Sequence, residues 1–160
     1  MLSVYLICVG KLKEKFYLDA CAEYQKRLSA YCRLTLVELP EEKLPQNPTQ
    51  GQIDQALAKE AQAIRGKLPP SAALVALCVE GKERSSEAFA RLFQDWEQSA
   101  AKHLVFLIGG SYGLHPSIKQ EAQQRLSMSP MTFPHHLARV MLLEQVYRAF
   151  KINEGSRYHK

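Results

Sequence analysis

Leu104-Val105-Phe106-Leu107-Ile108-Gly109-Gly110-Ser111-Tyr112-Gly113 is the stretch that decides how this chain is read. Five apolar, mostly β-forming residues run without alternation, the pattern of a strand covered on both faces in a parallel sheet. The run stops at paired glycines, with a third glycine three positions on. Residues without a side chain permit backbone dihedrals and close approaches that others forbid. Ligands of open α/β sheets settle at the carboxyl ends of strands. This segment is therefore the expected floor of a small-molecule site.

Upstream, the pattern is strand and helix in alternation. Leu2 to Val9 reads as a first strand closed by Gly10, and Lys11, Lys13 and Lys15 follow at its carboxyl end. These lysines are either a phosphate-contacting loop or a solvated charge run. Tyr17, Cys21, Tyr24, Leu28 and Tyr31 fall on one helical stripe and are read as core. Leu34 to Leu39 is a shorter second strand. Pro40, Pro45 and Pro48 then force a loop, mobile or RNA-facing, before Thr49-x-x-Gln52 opens a helix as a capping box. Ile53, Leu57, Ala61, Ile64 and Leu68 mark its buried face. Ala73 to Val79 is the third strand. Ser85 or Ser86 caps the next helix, whose stripe is Phe89, Leu92, Phe93, Trp96 and Ala100. Crossover helices between strands argue an α/β fold, with a mostly parallel sheet and helices on both faces.

Downstream of Gly113 the order changes. His115-Pro116 introduces a helical stretch, Ser117 to Arg125, and Leu126 to Pro134 is mostly irregular with room for one short strand. A last helix runs from near His135 to about Ile152. Its apolar residues cover more than half the circumference, so one side is expected on the sheet and the other on a second subunit. Gly155 suits the region of its C-terminal cap. No linker or repeat divides residues 1–160, which are read as a single domain.

Composition narrows the function. A domain of 160 residues can bury a working core without disulfides or metal. Cys8, Cys21, Cys32 and Cys78 form no C-x-x-C pair and are read as small buried hydrophobes in a reducing compartment, with no metal expected. No apolar run reaches the roughly 18 residues of a membrane span. Met1-Leu2-Ser3-Val4 opens into a strand without the marks of a signal peptide, so a cytoplasmic location is expected. The formal net charge of +5 favours an anionic partner. Gly81-Lys82 after a strand invites a phosphate-loop test and fails it, with Ala76 and Glu83 where glycine and serine or threonine are needed. The glycines after the fourth strand do not spell a dinucleotide fingerprint. His135-His136, adjacent at a helix start, point in different directions, which suits capping or substrate contact better than a metal pair.

Four segments together carry a resemblance. They are Leu77-x-x-Glu80-Gly81-Lys82, Leu107-Ile108-Gly109-Gly110-x-x-Gly113-Leu114, Ser127-x-Ser129-x-Met131-Thr132-Phe133-Pro134-His135 and the terminal Tyr158-His159. In this order and spacing, over essentially the whole chain, they resemble the ribosomal large-subunit RNA methyltransferase H family of the SPOUT superfamily. The resemblance implies a C-terminal trefoil knot, a homodimer with each site completed near the subunit boundary, and S-adenosylmethionine as cofactor. It implies transfer of methyl to N3 of a pseudouridine in 23S ribosomal RNA of the assembled ribosome.

Carried over by residue, the cofactor would be held by Leu77, Gly109, Gly110, Ser129, Pro130, Met131, Thr132, Phe133 and Pro134. Leu77 and Phe133 would sandwich adenine, while the two glycines would let backbone approach the ribose and methionine. His159 is the leading candidate base, with Tyr158 as its orienter. Lys11, Lys13, Lys15, Arg139 and Arg157 are candidate RNA contacts. Many relatives carry Pro and Glu between the second and third glycines, where this chain has Ser111-Tyr112. The competing readings are a non-enzymatic ribosome-binding factor, a doubly wound oxidoreductase, and a SPOUT methyltransferase with another RNA target.

Overall fold

Val4, Leu6, Ile7, Cys8 and Val9 are all buried, so the first strand is covered on both faces, as its unbroken apolar run requires. It is β1 (Leu2–Val9) in a computed structural model that describes every residue from Met1 to Lys160. The chain continues through α1 (Lys15–Leu28), β2 (Cys32–Leu39), α2 (Gln50–Arg65), β3 (Ala72–Glu83), α3 (Ser86–Gln98) and β4 (His103–Ile108). It closes with α4 (Pro116–Glu121), β5 (Gln124–Ser127) and α5 (His135–Asn153). The five strands form one parallel sheet in the order β2-β1-β4-β3-β5. In the centre, Phe106 of β4 pairs with Leu6 on one side and Val75 on the other.

Helices cover both faces. On one, α1, α3 and α5 bring Cys21, Leu28, Phe93, Leu142, Leu143 and Phe150 against Val4, Leu6 and Phe106. On the other, α2 and α4 bring Ala61, Ile64 and Ile118 against Ile7, Val105 and Leu107. Local signals start the helices where expected. Thr49 and Gln52 form the reciprocal capping box of α2, and the Ser85 hydroxyl accepts the Ala88 N–H at the start of α3. Gly155 takes φ +76° just past α5, a left-handed conformation suited to glycine.

Three differences from the sequence reading bear on the site and its surroundings. The helical stretch after Pro116 ends at Glu121, and Gln124 to Arg125 already belong to the short strand. Strand β3 runs on to Glu83 with an irregularity, since Leu126 of β5 pairs with both Leu77 and Lys82. The residues between bulge away from the ladder. Finally, α5 packs against α1 and α3 of its own chain as well as the sheet. Intramolecular neighbours therefore cover more of its apolar circumference than anticipated, leaving Leu137, Val140 and Met141 partly open.

Candidate functional site

Because all strands point the same way, the carboxyl ends of β1, β4 and β3 share one edge of the sheet. Three segments meet there: the bulge after Leu77, the Gly109–Gly113 loop, and Met128 to Pro134 before α5. Together they line a cleft of about 720 Å³, within the roughly 300–1,000 Å³ of small-molecule sites. Of the nine expected cofactor residues, Leu77, Gly109, Gly110, Ser129, Met131, Thr132, Phe133 and Pro134 line it, and Pro130 does not. The sequence reading did not assign Cys78, Val79, Glu80 or Lys119 to the site, yet all four are on its wall. The irregular pairing of β3 with β5 is what puts the first three there, and no local signal announces it.

The glycines have a nearer reason than room for a ligand. A Cβ on Gly109 would lie 2.3 Å from both the carbonyl carbon and oxygen of Gly113, so the loop crosses its own backbone there. The Gly113 N–H donates to the Gly110 carbonyl at 3.0 Å, and Gly113 has φ +78°. The loop is thus a tight, self-closed turn. The opposite wall is braced as well: the Ser127 hydroxyl donates to the Ser129 carbonyl, and the Ser129 hydroxyl accepts the Met131 N–H, both at 3.0 Å. Leu77, Ile108, Leu126 and Phe133 supply apolar surface between these two walls. The slot thus sets apolar side chains between two walls of ordered backbone.

Charge at the cleft is local and paired. Lys119 donates to Glu80, and that bond holds the Glu80 carboxyl below the usual carboxylate range. Burial, then the neighbouring His136, pushes the His135 imidazole below its ordinary value, so it is neutral at pH 7. Burial and then Glu80 raise the Cys78 thiol.

A family model described as "Predicted SPOUT methyltransferase" matches residues 2–159. Two proteins named ribosomal RNA large subunit methyltransferase H align over 99% of this chain and 100% of their own length. The one from Levilactobacillus brevis is 45% identical over 159 residues, and the one from Bifidobacterium adolescentis 47%. The chain belongs to this SPOUT methyltransferase family. A solved structure, described as a probable methyltransferase from Bordetella pertussis Tohama I, shares the fold at 15% identity. Its TM-score is 0.57, over 92% of this chain and 96% of that one.

Not every residue expected to serve a SPOUT methyltransferase lies at the cleft. Arg139, expected on phosphate, is instead 3% exposed. Its guanidinium donates to Glu38 at 2.7 Å and to the Gly10 carbonyl at 3.1 Å. The role therefore needs correction: α5 packs into the core, and this cation ties α5 to β2 and to the end of β1. Lys11, Lys13 and Lys15 are exposed beside β1, and Lys15 is paired with Asp19 at 2.7 Å. Arg157 is exposed on the tail.

The tail of this SPOUT chain is docked elsewhere. His159 meets Glu87 through Nε2 at 2.7 Å and Arg148 through Nδ1 at 3.0 Å. A guanidinium only donates, so Nδ1 accepts and the proton sits on Nε2, facing Glu87. The Tyr158 hydroxyl donates to Glu144 at 3.2 Å, under the Arg148 guanidinium. Arg148 is ten residues beyond Ala138, the last cleft residue on α5. At 1.5 Å per residue that is about 15 Å along the helix. Within one chain, His159 is held apart from the cleft.

Proposed function

We propose that this protein uses S-adenosylmethionine to methylate N3 of a pseudouridine in 23S ribosomal RNA within the assembled ribosome, as a cytoplasmic homodimer. The observation that carries the reading is the gathering of eight expected donor residues, from three separate segments, on one cleft. Membership of a family whose curated relatives are named for the large-subunit RNA supports the substrate. The knotted C-terminal path implied by the resemblance belongs to the same reading.

The donor supplies an electrophilic methyl on sulfonium. The chain aligns the acceptor, excludes water and takes the N3 proton. Leu77 and Phe133 hold adenine between them, and the braced Ser129–Pro134 loop offers backbone groups to its edge. His159 is the proposed proton acceptor, taking the N3 proton on Nδ1 once Arg148 releases that atom, with Tyr158 its orienter through Glu144 and Arg148. Since the tail is docked on Glu144 and Arg148, about 9 to 15 Å along α5 from Ala138, the tail that completes a cleft comes from a second subunit. The partly open Leu137, Val140 and Met141 on α5, and Met131 at 72% exposure on the cleft rim, support such a face. Lys11, Lys13 and Arg157 remain available to the RNA backbone.

The test uses ribosomes from cells lacking the protein. The wild-type chain is expected to transfer labelled methyl to one pseudouridine N3, and to do so faster on ribosomes than on naked RNA. His159→Ala, at saturating RNA, is expected to lose single-turnover transfer. No methyl on ribosomal RNA overturns the function, whereas an undiminished His159→Ala rate overturns only the base assignment.

Thiol chemistry reports on the cleft without RNA. Burial pushes Cys8 up to about 12 and Cys32 up to about 11, so neither forms an appreciable thiolate near neutrality in the folded protein. Cys78, on the cleft wall, is the thiol within reach of an alkylating reagent. Its raised value makes the reaction slow at pH 7 and faster at pH 9. Saturating S-adenosylmethionine should protect it, as read by peptide mass mapping. Alkylation at an unchanged rate would place the donor elsewhere.

A further inference from the structure

The Pro40–Pro48 loop has no regular structure, yet it is fastened at two neighbouring residues. The Glu42 N–H donates to the Glu60 carboxylate of α2 at 2.9 Å, and Glu60 is itself buried. One residue earlier, the Glu41 carboxylate accepts the Ser111 N–H at 2.7 Å. The same carboxylate lies against Gly110 so closely that a Cβ there would fall 2.7 Å from its Oε1. A side chain from β2–α2 thus occupies the space that Gly110 leaves, on the loop that floors the cleft.

We infer that Glu41 is a positioning residue of the donor site, fixing the Gly110–Ser111 peptide so that the glycine loop is already in its binding shape. The inference rests on the donor reading above. A segment with glycines at 109, 110 and 113 has more backbone freedom to lose than any other on the cleft. A charge-assisted bond to its amide removes that freedom before a ligand arrives, and preorganisation of this kind appears as affinity. Glu60 holds the supporting loop, so the order reaches the glycine loop from α2 through Glu42 and Glu41. The long loop after β2 is therefore an outer wall of the site.

The test compares Glu41→Ala and Glu41→Gln in the full chain. Glu41→Ala should weaken S-adenosylmethionine binding about tenfold or more by calorimetry, the size expected for losing a hydrogen bond to a charged group. In turnover, the donor KM should rise while kcat at saturating donor holds. Glu41→Gln keeps an acceptor oxygen and should recover most of the affinity. Amide exchange at Ser111, measured without donor, should quicken in Glu41→Ala and be largely restored in Glu41→Gln. A wild-type chain that binds the donor and a Glu41→Ala chain that binds it equally well would overturn this inference alone. Unchanged Ser111 exchange would do the same. A wild-type chain that binds no donor would remove the methyltransferase reading and this inference with it.

Discussion

Gly109→Ala is expected to abolish donor binding and to lower the melting temperature by roughly 10 °C. The added methyl would stand 2.3 Å from the carbonyl carbon and oxygen of Gly113 and 2.8 Å from its Cα. All three are backbone atoms of a closed turn, so no side-chain rotation relieves the clash. Overpacking of a rigid site costs about 3 kcal/mol when the backbone must move. For a domain of this length each kcal/mol is worth about 2–4 °C. Gly113→Ala is the control. That residue has φ +78° but open space where a Cβ would go, so it should cost only about 1 kcal/mol of left-handed strain. Thermal melts and donor calorimetry on the two variants check the contrast. Equal melts would mean that the backbone at Gly109 can move away from Gly113 at little cost.

Arg139→Ala should be strongly damaging although it lies outside the cleft, destabilising by about 3 kcal/mol, near the low end of the cost of breaking a buried pair. The discount is for Glu38, which is partly exposed and can turn toward water. Three elements loosen together, since Glu38 also accepts the Leu12 N–H at 3.0 Å and Arg139 also holds the Gly10 carbonyl. Arg139→Lys cannot reach both acceptors and should recover only part of the loss. Burial raises the Glu38 carboxyl, but the Arg139 bond, the Leu12 N–H and the Arg139 charge together leave it below its ordinary 4.5. A depressed folded value means that the contribution is complete above about pH 4.5 and fades as the pH falls through the folded value. The gap between wild type and Arg139→Ala should therefore narrow in acid. Urea melts at pH 7 and pH 3.5 measure it, and a constant gap would assign the loss to packing alone.

Much of the fold was legible because its signals are local. The apolar run ending at Gly109-Gly110, the Thr49–Gln52 box and the Ser85 cap each state their structure within a few residues. The helix after His115-Pro116 is real, but the sequence carries it to Arg125 rather than Glu121, because Ile118 and Ala122 keep helical spacing and no glycine or proline marks the turn at Ala122-Gln123. What makes Gln124 a strand residue is its pairing with Val75, which no local window contains. Distance in sequence also hid the Glu41–Ser111 bond, 70 residues apart, and the Arg139–Glu38 pair, 101 apart. Arg139 reads as a free cation because its partner lies on β2, far away along the chain. The cleft itself was found through its segments, but the reason for its glycines was not, since a backbone crossing leaves no mark in composition.

Residues 142 to 150 of α5, the last helix, share one packed core with Cys21, Leu28 and Phe93 of the earlier α1 and α3. Tyr31 likewise stacks on Phe150 and receives a hydrogen bond from Lys151. During synthesis α1 and α3 are made before α5, so the part of that face which α5 covers stays open until the final helix docks. Closure of this face is thus expected to be the last step of folding, with α5 docking against α1 and α3.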